Sequence, residues 1–161
     1  MLHRSAITIA AAAAMLVGCG AAAQQQPQLR VAAARCSDLG ADQGVASVFS
    51  PEKVMQVEPT YERRIVTRGT TVQYVSGARL YVPAEQGMNE AYLERVLSCH
   101  AASAPTASDH PNDPLRAAGI AHVDVEPAGP AMRIAIKGTS AATGKAIYQR
   151  SQAYQQKRGE V

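Results

Sequence analysis

The chain has 161 residues, with 16 Lys and Arg against 13 Asp and Glu, for a formal charge of +3. That length suits one small domain, and a charge so weak and evenly spread argues against nucleic acid, whose electrostatic footprint is a clustered basic face. The adjacent pairs Arg63-Arg64 and Lys157-Arg158 read as solvated faces, and with 4% aromatic residues, no Trp and one Phe, the core must be mainly aliphatic.

The first residues have the three parts of an export signal: Arg4 in a short positive region, an apolar run from Ala6 to Val17, and small residues before Cys19. The run is shorter than the roughly 20 residues that span a bilayer, so a retained transmembrane helix is not expected. Leu16-Val17-Gly18-Cys19 resembles the lipobox of bacterial lipoproteins. The resemblance implies that residues 1–18 are a signal peptide. It also implies that Cys19 carries a diacylglycerol and an amide-linked acyl chain, firm anchoring where a single chain would be marginal. Gly20 stands where an aspartate favours inner-membrane retention in well-studied Gram-negative lipoproteins, which implies the outer membrane, facing the periplasm. The alternative is ordinary cleavage near Ala21-Ala22-Ala23, leaving a soluble protein. Residues 19–35 read as the lipidated cysteine and a flexible linker, rich in Ala and Gln and without apolar period.

With Cys19 acylated, Cys36 and Cys99 remain. Exported proteins live where disulfides persist. A bridge would close a loop of roughly 60 residues, for which chain entropy assigns about 4 kcal/mol. Two separate reduced thiols are the alternative, one of them buried and inert.

Residues 36–157 read as a single α+β domain. Gly40 and Gly44 suggest a loop. Ser50-Pro51 offers a cap and an N1 proline for a helical turn to about Met55. Glu58-Pro59 imposes extended backbone. Strands follow at Arg64–Arg68, Thr71–Val75 and Ala78–Val82, parted by turn signals at Gly69-Thr70 and Ser76-Gly77, a three-stranded meander. A helix runs from Met88 to Ala102, capped by Asn89, with Met88 and Leu93 as a hydrophobic staple. Leu93, Val96, Leu97 and His100 share one face, with Cys99 on its flank. Ser103–Gly119 is a polar loop. Gly119–Glu126 and Met132–Lys137 form a hairpin about the turn Pro127–Pro130. Thr139 or Ser140 caps a last helix marked by Ala146, Ile147, Arg150 and Tyr154, and Gly144 weakens its first turn by about 1 kcal/mol relative to alanine. Residues 158–161 read as a frayed tail.

The expected architecture is a small antiparallel sheet, β-meander plus β-hairpin, covered on one face by two helices. Its β-β-α half resembles ferredoxin-like folds, at the level of fold only. The stretch 77–150 is also similar to uncharacterised small exported bacterial proteins, through GARLYVPAEQGM (77–88), Ser98-Cys99-His100-Ala101 and the closing hairpin and helix. That similarity implies no activity.

Three chemistries compete. His100, His110 and His122 with Asp109, beside Cys99, offer imidazole, carboxylate and thiolate to copper or zinc in a periplasmic metal-handling lipoprotein. Against this, Cys99 and His100 are adjacent on a helix and diverge, and no C-x-x-C, H-x-x-x-H or Met-rich motif accompanies them. Cys99 beside His100 suggests a thiol redox protein. With no G-x-S-x-G elbow or Ser-x-x-Lys, neither catalysis nor a cofactor is expected. The favoured reading is a lipid-anchored envelope protein with a binding or scaffolding role. It is held to the membrane by its lipid and presents the sheet or loop 103–119 to another envelope protein.

Overall fold

The computed structural model describes Cys36, Val45 and residues 49–103 and 112–157. Cys19, the signal and linker at 1–35, Asp109, His110 and the tail at 158–161 lie outside the described residues. A 3-10 turn at Pro51–Lys53 leads into strands β1 (Gln56–Thr67) and β2 (Thr70–Pro83) and helix α1 (Glu90–Ala102). A second 3-10 turn at Pro114–Arg116 precedes β3 (Ile120–Ala128), β4 (Ala131–Gly138) and helix α2 (Ala141–Gln156).

The strands form one antiparallel sheet in the order β1-β2-β4-β3. Strand alternation puts Ala78, Leu80, Val82, Val123, Val125, Ile134 and Ile136 on one face, where they are buried. Leu93, Val96 and Leu97 of α1 and Ile147 of α2 close the core over them. The expected α+β architecture, an antiparallel sheet with two helices packed on it, is therefore present. The element order β-β-α-β-β-α is the β-α-β-β-α-β order of ferredoxin-like folds cyclically permuted, with β4 lying between β2 and β3.

The meander is corrected. β2 does not turn at Ser76-Gly77 but runs unbroken through it, so two long strands replace the three short ones. A register shift between Thr60 and Tyr61 leaves Ser76 as the extra residue of a bulge. Gly77 serves close approach: a Cβ there would lie 2.9 Å from the Ile136 carbonyl carbon. β1 starts at Gln56 and carries Pro59, which an edge strand tolerates because its missing donor faces away from the ladder. The real turn is at Arg68-Gly69, with φ of 47° and 82°, the double positive φ of a type I′ hairpin.

Asn89 caps α1 by accepting from the amides of Ala91 (2.9 Å) and Tyr92 (3.4 Å), and the four residues of its expected apolar face are buried. Ser140 caps α2, but that helix turns Gly144, Ile147 and Ser151 to the sheet. Gly144 is the point of contact: an added Cβ would sit 2.5 Å from Val75 O and 2.7 Å from Ser76 Cα. The segment before β1 joins the core through Val45, Phe49 and Val54. Phe49 stacks on Tyr154 at 5.2 Å, and the Tyr154 hydroxyl donates to the Phe49 carbonyl at 3.0 Å.

Candidate functional site

Among the described residues no helix lies over the second face of the sheet. The alternation that buries Leu80 and Ile134 sends Glu58, Arg79, Tyr81, Arg133, Ala135, Lys137, His122, Asp124 and Glu126 to the other side. Basic side chains occupy the central strands β2 and β4, and acidic ones the flanking strands β1 and β3. Glu58 lies directly across from Arg79, and the Tyr81 hydroxyl donates to Glu58 Oε2 at 3.2 Å. Arg133 pairs with Glu126, and Lys137 Nζ lies 3.5 Å from Glu62 Oε1. Such half-solvated pairs contribute about 0–1 kcal/mol each, so this pattern does more for partner choice and register than for stability.

A groove of about 210 Å³ crosses this face, lined by Thr60, Tyr61, Ser76, Arg79, Asp124, Glu126, Arg133, Ala135 and Lys137. At its floor the buried Ser76 hydroxyl donates to Thr60 Oγ1 at 3.2 Å. The groove has donors and acceptors of both charge signs within a few residues, which suits a polar or zwitterionic surface.

Beyond the groove the first hairpin leaves the body. β2 pairs with β4 only from Gly77 to Pro83, so residues 61–75 form a two-stranded arm with no third strand beside it among the described residues. Every residue of β1 from Tyr61 to Thr67 is exposed. Nothing in the strand pattern distinguishes this stretch from a strand interior, which is why sequence reasoning missed it.

Of the expected metal and thiol residues, His100, His122 and Cys99 are described. His100 is buried at the end of α1, its Nε2 2.7 Å from Asp113 Oδ2 and its Nδ1 3.3 Å from Arg116 Nη2. A guanidinium only donates, so these partners assign the tautomer: Nδ1 accepts, and Nε2 carries the hydrogen given to Asp113. Asp113 Oδ1 accepts from the Leu115 amide at 2.8 Å, and Arg116 Nη1 donates to the Ser103 carbonyl at 3.1 Å and hydroxyl at 2.8 Å. The Ser103 hydroxyl in turn donates to the His100 carbonyl at 2.7 Å. The cluster fastens the Pro114–Arg116 turn to the helix end. Both imidazole nitrogens are engaged in it.

His122 sits on the open face of β3, on the opposite side of the sheet from His100, so the structure does not bring these two histidines together. Among the described residues no group of three or more His, Cys, Asp or Glu is placed to hold a metal ion. Cys99 is joined to Cys36 by a disulfide, with Cα atoms 5.5 Å apart. The described end of loop 103–119 is not presented outward as expected: Asp113, Pro114 and Leu115 are buried. Among the described residues no helix is long and apolar enough to cross a membrane. Comparison with protein-family models, with curated proteins and with solved structures found no match.

Proposed function

We propose that the chain is a lipid-anchored protein of the cell envelope, tethered through Cys19 and facing the periplasm from the outer membrane, with a non-catalytic binding role. The supporting observation is the division of labour across the sheet. Among the described residues one face carries the aliphatic core, while the other carries a patterned set of charges around a groove and no covering layer. A lone sheet face of this kind is stable in water and available to a partner. The fastened His100–Asp113–Arg116 cluster and the Cys36–Cys99 bridge support a scaffold held rigid around that face. A copper- or zinc-handling role would require His100 to give up both partners.

Two measurements test the proposal. The mass of the mature chain, intact and reduced, should show acylation at Cys19 and a two-proton change for the bridge. Cross-linking in intact envelope should yield a discrete adduct that Arg79→Glu with Arg133→Glu abolishes while far-UV circular dichroism is unchanged. An unprocessed, fully reduced chain in the cytosol overturns the anchor, and an adduct indifferent to those substitutions overturns the use of this face.

A further inference from the structure

We infer that the arm formed by residues 61–75 is a second membrane contact, which docks in the headgroup layer of an anionic phospholipid surface. Four of the six large hydrophobic side chains exposed on the described protein fall on it: Tyr61 (55% exposed), Ile65 (72%), Val66 (52%) and Val72 (45%). A two-stranded ribbon is marginal in water by itself, so spending its surface on apolar side chains calls for a covering medium.

The charge selects the medium. Arg63, Arg64 and Arg68 lie between Glu62 and the tip, and no acid follows until the strands rejoin the body. Glu62 itself accepts from the Tyr74 hydroxyl at 3.1 Å and faces Lys137. Among the described residues no carboxylate pairs with the three arginines. A second copy of the chain would bring two such tips together in repulsion, whereas an anionic surface attracts them.

The register selects it further. Ile65 stands across from Thr71 and Val72 across from Arg64, so the apolar groups project from both faces of the ribbon. A flat protein partner covers one face. A headgroup layer surrounds both. Depth is limited by the ribbon's outer edges, whose backbone donors and acceptors pair with no strand among the described residues and are not tolerated in hydrocarbon. The arm therefore stops among the headgroups, where arginine and tyrosine keep polar company over apolar stems. The choice of a membrane rests on the tether proposed at Cys19, which keeps the domain at a bilayer.

The absence of Trp supplies the test, because Val66→Trp makes one indole report from the tip. The full acylated chain is placed in vesicles of phosphatidylethanolamine with phosphatidylglycerol. The emission should shift to the blue and be quenched by brominated acyl chains. Tyr92→Trp, at an exposed position of α1, should do neither. Arg63→Gln with Arg64→Gln and Arg68→Gln, or vesicles of phosphatidylcholine alone, should remove most of the response. An indole that stays water-like in anionic vesicles overturns the inference. So does a blue shift without vesicles that grows with protein concentration, the mark of a second copy, or one that needs an added envelope protein. If the mass of the mature chain shows no acylation while the indole still responds, the tether fails and the arm stands. An acylated chain with a silent indole means the reverse.

Discussion

Gly144 is the residue at which propensity and packing disagree in sign. By helix propensity, Gly144→Ala in the first half of α2 should stabilise by about 1 kcal/mol. By packing, the new methyl group meets the backbone of Val75 and Ser76 and has no flexible side chain to displace. Overpacking against backbone costs about 1–3 kcal/mol and governs here. The urea midpoint of Gly144→Ala should therefore fall; a rise would mean that α2 sits farther from β2 than the structure places it. Tyr154 carries a second residue-scale prediction. Burial, then the charges of Asp113 and Glu52, push its phenol well above the ordinary value of 10.0. The unfolded chain thus loses this proton first. Its contribution to stability is complete below pH 10 and declines as pH rises above it. Thermal unfolding from pH 9 upward should show that decline, and Tyr154→Phe should flatten it.

At the scale of elements, the first hairpin has two stabilities in one pair of strands. Residues 77–83 of β2 are held on both sides, by β1 and β4, and alternate into the core. Residues 61–73 have one neighbouring strand each and exposed side chains, and Tyr74 and Val75 are half-buried where the arm meets the body. In the absence of lipid, amides of the arm should exchange with deuterium through local opening, while those of 77–83 should exchange only with global unfolding. Uniform protection along β2 would contradict this. The bridge acts at the same scale, between the segment before β1 and α1. Its 63-residue separation corresponds in the chain-entropy model to about 4 kcal/mol. Cys36→Ser with Cys99→Ser should lower the urea midpoint accordingly, and a midpoint within error of the parent would show that the loop is already held by other contacts.

The whole molecule is two β-β-α units that exchange their covers. α2, from the second unit, packs chiefly on β2 of the first, and α1, from the first, packs on β3 of the second. Neither helix lies mainly on the strands of its own unit, so neither unit has a complete core by itself. Fragments divided between residues 103 and 112 should each lack cooperative unfolding by circular dichroism, and should regain it when mixed. A fragment that folds alone would show that the halves are independent.

Features that act within a few residues were legible in the sequence. The alternation of Ile134 and Ile136, the stripe Leu93-Val96-Leu97-His100 and the caps at Asn89 and Ser140 depend on strand and helix periods and on amides one turn away. They appear where expected. The structure also joins Cys36 to Cys99. Tertiary structure decided what depends on partners far along the chain. Ser76-Gly77 has turn composition, yet becomes a bulge because Ile136 lies across from it. Gly144 is a weak helix former until β2 is beside it. Leu115, in a polar loop, becomes core, and His100 meets Asp113 and Arg116. Period and cap chemistry are properties of neighbours in sequence, whereas register and the identity of the uncovered face arise only when the strands are placed side by side.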